Sequence, residues 1–291
     1  KNSLNYINNF FLFITNETRS LYLNSNIYNK KISLTNNNSF EYKPSPSLLD
    51  CLIKYDKKRI KIENYSLNTI WNDKSLQKKD YNNLHSFFWL FSLDLKSSKK
   101  DTQKIILKWI EANNKYNFKS WEIDIISKRI IAWISNSKLT YEEGDANYRK
   151  KFNDIIQKQV NHLINEIGRS EWIDDKMIGC AAIILTGLSY QNEDGYLNFG
   201  LNLLKKIIRF SFDNDNFPKS RNIRQLKFYL KYFVLIREWL KESQNEIPEY
   251  INEAIYYLGQ AYTFIWQNNK KDILFNGNQE TDNSGFDSYL E

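Results

Sequence analysis

Ile178-Gly179-Cys180-Ala181-Ala182-Ile183-Ile184-Leu185-Thr186-Gly187-Leu188 is apolar on nearly every face when wound as a helix. A helix without a polar side has to be enclosed by other helices, because any face left to water would expose apolar surface. Its glycines and alanines allow those neighbours to come close. The run is also too short to cross a bilayer, which takes roughly 20 apolar residues. An all-α body of stacked helices follows as the expected fold class.

The flanking sequence supplies the expected neighbours. Phe152, Ile155, Ile156, Gln159, Val160, Leu163, Ile164 and Ile167 recur at helical spacing just upstream, and Leu197 to Phe210, Leu226 to Leu240 and Ile251 to Trp266 follow downstream. Further upstream, Ile126, Ile130, Trp133 and Ile134 share one helical face, as do Ile105, Ile106, Trp109 and Ile110. Regular patterning is expected to begin near Leu84, where His85, Phe87, Phe88, Trp89, Phe91 and Leu93 read as one aromatic helix. Only four prolines and nine glycines interrupt the chain, which suits long helices with short connections.

Between two of these helices lies a charged hinge, Asp213-Asn214-Asp215-Asn216-Phe217-Pro218-Lys219-Ser220-Arg221-Asn222-Ile223-Arg224-Gln225. Ser220 reads as the helix cap, which puts Arg221, Asn222, Arg224 and Gln225 in or beside the first turn. Free N–H groups and two guanidinium groups there make an anion-recognition corner, or else a merely solvated first turn. Residues 25–80 read as an irregular arm over the helical body, with short strands at Lys31 to Leu34 and Arg59 to Ile62. The expected division is an arm with one helix over 1–80, a helical domain over 81–277 and a tail over 278–291.

Composition narrows the function. The net charge of +7 arises from 41 Lys and Arg interspersed with 34 Asp and Glu, so no basic face for nucleic acid is expected. The abundance of Asn, Lys, Ile and Tyr resembles the bias of an AT-rich genome. Cys51 and Cys180 lie far apart and imply neither a disulfide framework nor a metal site, and no motif implies a cofactor. The run Phe10-Phe11-Leu12-Phe13-Ile14 is too short to span a membrane and carries no cleavage pattern of a signal peptide.

Several segments in order resemble the helical N-terminal region of the heparinase II/III-like polysaccharide lyase family, particularly its alphaproteobacterial members. These are Leu84-His85-Ser86-Phe87-Phe88-Trp89-Leu90, Trp109-Ile110, Trp121 with Lys128-Arg129-Ile130-Ile131-Ala132-Trp133, Ser220-Arg221-Asn222 and Leu274-Phe275-Asn276-Gly277. The resemblance implies an incomplete (α/α) toroid of helical hairpins, followed after Gly277 by a β-sandwich domain of which this chain contains none. It further implies a periplasmic lyase that cleaves an acidic, uronic-acid-containing polysaccharide by β-elimination.

That chemistry removes a weakly acidic proton beside a carboxylate, so it needs a neutraliser for the carboxylate and a base within hydrogen-bond reach. The resemblance makes Arg221 and Asn222, with Ser220 and Arg224 beside them, candidates for gripping a carboxylate or sulfate. His85 becomes the candidate proton-transfer group, or else a core histidine. Trp121 and Arg129 are candidates for lining the sugar cleft, or else core and solvated charge respectively. Asn276 is either a substrate contact at the interdomain face or a turn residue, and His162 reads as structural. Two departures stand out: Asn216-Phe217-Pro218 replaces the family's Gly-Gly-His, and no asparagine neutraliser is evident near Asp174 and Asp175. A non-catalytic helical scaffold that binds anionic glycan or a protein partner is therefore the alternative.

Overall fold

Helices in this chain form where apolar residues recur about every third or fourth position, and on some of them a short polar side chain closes the first turn. The computed structural model describes residues 16–34, 39–45, 48–49, 71, 73, 75–93, 99–190, 194–213 and 217–265. The principal helices are α1 (Asn26–Ile32), α2 (Lys78–Ser86), α3 (Lys99–Asn113), α4 (Ile123–Ser135), α5 (Ser137–Thr140), α6 (Ala146–Glu166), α7 (Ile173–Ser189), α8 (Asp194–Ser211), α9 (Ile223–Glu242) and α10 (Glu249–Ile265). Ser25 caps α1 by accepting from Tyr28 N at 3.1 Å, and Asp145 caps α6 by accepting from Tyr148 N at 2.8 Å.

The all-apolar run lies within α7, and α7 packs against α4, α6, α8 and α9. Every residue from Met177 to Thr186 is buried, which is the enclosure that the pattern demands. Packing also joins α2 to α4, α4 to α7, and α7 to α9, so these four helices form an inner row. The helices between them, α3, α6 and α8, together with α10, return along the outside. This alternation of inner and outer helices is the expected incomplete toroid.

Close backbone approach joins α7 to α8. A Cβ on Gly187 would lie 2.5 Å from Leu197 N and 2.9 Å from Leu197 Cα, whereas one on Gly179 would meet chiefly the Cδ1 end of Ile167 at 2.5 Å. Backbone cannot give way as a terminal methyl group can. Gly187→Ala is therefore expected to destabilise by about 3 kcal/mol, and Gly179→Ala by less than about 1 kcal/mol once the helix propensity of alanine is included. Urea denaturation of the two variants checks this; equal costs would mean that α7 and α8 are not held at the distance of a missing Cβ.

The described parts of the N-terminal arm lie on the helical body. Tyr28 on α1 is fully buried, and its hydroxyl is 2.7 Å from His162 Nδ1. Asn161 Nδ2 donates to Ile32 O at 2.9 Å, and Arg19 pairs with Glu166. Phe40 forms an isolated antiparallel bridge with Tyr190, and its ring meets Tyr141 edge-on at 4.7 Å.

Two local expectations are corrected. Lys31 and Ile32 belong to α1 rather than to a strand, because Ser25 supplies a cap and Tyr28 and Ile32, one turn apart, bury the same face. The aromatic helix at Leu84 instead starts at Lys78 and stops at Ser86; Phe87 is left-handed at φ 59°, and Phe88–Ser92 form a 3₁₀ turn. That break lets Phe87 reach both Trp109 and Trp133, with ring centroids 6.1 and 5.1 Å away. The second expected strand, Arg59 to Ile62, the run Phe10 to Ile14, Cys51 and the tail over 278–291 lie outside the described residues.

Candidate functional site

The four inner helices start at the same end of the body. Lys78 Nζ on α2 is 4.0 Å from Glu122, the residue before α4. Asp124 in the first turn of α4 acts electrostatically on Asp175 in the first turn of α7. Asp174, next to it, accepts from Arg224 at 3.0 Å and from Gln225 Nε2 at 2.7 Å, both in the first turn of α9. Aligned helix starts bring unpaired N–H groups and partial positive charge to one surface.

Carboxylates offset that charge on three of the four helices: Asp80 on α2, Asp124 on α4, and Asp174 and Asp175 on α7. The first turn of α9 has no acidic residue and carries Arg224 instead. Burial, followed by the charges of Asp124 and Asp174, pushes the Asp175 carboxyl above the usual aspartate range, so it keeps its proton more readily than an exposed acid.

The described residues on either side of the hinge before α9 are bridged to each other. Phe212 and Pro218 form an antiparallel bridge, Asp213 N donates to Phe217 O at 2.9 Å, and Lys219 N donates to Ser211 O at 2.8 Å. Arg221 adopts φ 55°, and this left-handed residue redirects the chain before α9 begins. The cap is therefore Asn222, not Ser220 as expected: Asn222 Oδ1 accepts from Gln225 N at 3.3 Å. Ser220 Oγ accepts from Asn222 N at 3.2 Å and donates to Gln225 Oε1 at 2.6 Å. Arg221 lies before the helix with its side chain 59% exposed, 2.6 Å from Asp213 Oδ2 and over the Phe217 ring at 5.1 Å.

The remaining candidates lie elsewhere, and the structure groups two of them in a buried polar cluster. Arg129 is fully buried: Nε donates to Gln159 Oε1 at 2.9 Å, and one terminal nitrogen donates to His85 O at 2.9 Å and Ser120 O at 3.1 Å. Its guanidinium lies 4.0 Å from the centroid of the Trp109 ring. His85 is fully buried; Nδ1 accepts from Trp109 Nε1 at 3.1 Å, and the ring stacks on Tyr81 at 4.0 Å. Burial, with Arg129 beside it, lowers the His85 pKa to about 3. Trp121 is buried beside His162 and donates to Asn113 O at 3.1 Å.

His85, Trp121 and Arg129 thus tie α2, α3, α4 and α6 together inside the body instead of lining an open cleft. The apolar surroundings that sequence periodicity assigns to their helices extend around these polar groups too. Asn276 lies outside the described residues. Sequence reading passed over Trp172, which precedes α7 and is 74% exposed. Its signal was a tryptophan between Ser170-Glu171 and Asp174-Asp175, off any apolar stripe. Among the described residues, no group of three or more His, Cys, Asp or Glu is placed to hold a metal, and no helix is long and apolar enough to cross a membrane.

No family model matches this sequence, and no curated protein matches it. Solved structures do. Heparan sulfate lyase from Pedobacter heparinus matches with a TM-score of 0.59 and 11% identity, covering 87% of this chain and 43% of its own. A structure of heparinase III matches with a TM-score of 0.59 and 14% identity, covering 91% of this chain and 44% of its own. A second heparinase III structure matches with a TM-score of 0.59 and 12% identity, over 84% of this chain and 45% of its own. The chain has a heparinase-like helical fold. It spans less than half the length of each of these structures. At such identities the likeness concerns the heparinase-like fold alone, and the chemistry has to be argued from this chain's own residues.

Proposed function

We propose that this chain is the helical half of a polysaccharide lyase that cleaves uronic-acid-containing glycans, heparin- or heparan-like, by β-elimination. The observation supporting the reading is the fold shared with heparan sulfate lyase and heparinase III over most of this chain. In this reading the end where the inner helices start faces the glycan. Arg221 and Arg224, with Asn222 and Ser220, hold a sugar carboxylate or sulfate over the start of α9, where backbone N–H groups add to the attraction.

The anion must compete with Asp213 for Arg221 and with Asp174 for Arg224. Both pairs are partly exposed and therefore weak, so a doubly hydrogen-bonded carboxylate or sulfate can displace them. His85 receives no proton-transfer role in this reading, because it is buried and neutral. The site is completed by a β-sandwich domain packed on this end.

A two-domain form should convert heparan sulfate, or another acidic glycan, to an unsaturated uronate that absorbs in the ultraviolet, and the 291-residue chain alone should not turn over. Absence of product from the two-domain form on every acidic glycan would end the lyase reading. Arg221→Ala should weaken glycan binding by roughly 10- to 100-fold, the loss of one charge-assisted contact. Its stability should change by less than about 1 kcal/mol, because the Arg221 side of the Asp213 pair is more than half exposed. Unchanged binding with a lowered melting temperature would make Arg221 structural.

The burial of His85 and the carboxylate partners of both arginines favour a second reading, a non-catalytic helical module for an anionic glycan or a protein partner. Glycan binding by a two-domain form without any product would support it.

A further inference from the structure

The indole of Trp172 has no evident structural task. It is 74% exposed, while Trp71, Trp89, Trp109, Trp121, Trp133 and Trp239 are all buried. It occupies the cap position of α7 without making a side-chain capping bond, and tryptophan has no oxygen to offer the free N–H groups there. The backbone around it is nonetheless well held. Trp172 N donates to Ser170 Oγ at 3.2 Å, and Trp172 O accepts from Lys176 N at 3.2 Å.

Its location gives the ring a use. Trp172 stands two residues before Asp174, the partner of Arg224, whose side chain is 58% exposed. Trp172 at the cap position and Asp174, which accepts from Arg224, thus both belong to the start of α7. A pyranose ring offers one apolar face of C–H groups and a rim of hydroxyl and acidic groups. A flat aromatic surface beside a fork of N–H donors complements both.

We propose that Trp172 is the stacking platform of a sugar subsite: a pyranose lies on the indole while its carboxylate or sulfate reaches Arg224. This rests on the acidic-glycan reading above and adds a subsite that binds the ring as well as its charge. Stacking removes one indole face from water, which corresponds to roughly a ten-fold gain in affinity.

The test uses the 291-residue chain with Trp266→Phe as parent, and oligosaccharides of heparan sulfate, chondroitin sulfate and alginate as probes. On binding, parent fluorescence should change and become protected from acrylamide quenching. Trp172→Phe should bind within a few-fold of the parent but lose that signal. Trp172→Ala should bind roughly ten-fold more weakly with an unchanged melting temperature. Parent binding that Trp172→Ala leaves intact, or that gives no protection of Trp172, would overturn the stacking role while leaving the acidic-glycan reading in place. A folded parent that binds none of the three would overturn the subsite, while the lyase reading is decided by product formation in the two-domain form.

Discussion

Acidification from pH 7 to pH 5 should destabilise this protein by about 4 kcal/mol through its two histidines, His85 and His162, at about 2 kcal/mol each. Both are buried in the body, and both have their pKa lowered to about 3. Burial is the larger cause in each case. For His85 the next is Arg129; for His162 it is Arg19, with Arg129 contributing as well. The folded pKa lies below that of the unfolded chain, near 6.5, so the unfolded state binds more protons whenever the pH falls between the two values. The stability is complete above about pH 6.5 and is lost progressively toward pH 3. Urea titrations at pH 7 and pH 5 read the loss directly. His162→Gln, which keeps an acceptor for the Tyr28 hydroxyl, should remove about half of the difference. If the variant is as acid-sensitive as the parent, His162 is not buried in its neutral form.

Arg129→Ala should cost about 4 kcal/mol and lower the melting temperature by roughly 10 °C. The guanidinium is enclosed, and it donates to Gln159 Oε1, His85 O and Ser120 O. Truncation leaves these three acceptors without a donor in a space closed to water, and it removes the cation from the Trp109 face. Lysine cannot replace it, because one ammonium group cannot span positions set for a planar fork. Arg129→Lys should therefore remain at least about 2 kcal/mol less stable than the parent. Normal stability in either variant would show that the cluster does not hold α2, α4 and α6 together. The same variants separate structure from binding, since Arg129 is placed too deep to touch a glycan.

Much of the architecture could be read from periodicity. The run Ile178 to Leu188 has no side suited to water, so its enclosure follows from its composition, and the structure supplies four helices that enclose it. Its glycines, Gly179 and Gly187, likewise announced close neighbours, although of the two only Gly187 would meet backbone atoms of a partner helix. The in-order segments that resemble heparinase II/III-like lyases anticipated the fold shared with the solved lyases.

Sequence alone determined that this is an all-α body built around one enclosed helix, because the 3.6-residue period and the apolar surface of that helix leave no other way to keep it from water. It also marked Ser220 to Gln225 as a polar helix start rich in donors. Which polar residues face water was decided only by the tertiary structure. The sequence left His85 open between a proton-transfer group and a core histidine, and Arg129 between a cleft residue and a solvated charge; in the structure both are buried, since hydrogen-bonding partners from other helices make their burial tolerable. Trp172, to which sequence reading assigned no role, stands in water just before the start of α7. Exposure of this kind depends on where separate helices meet, and no local pattern records that.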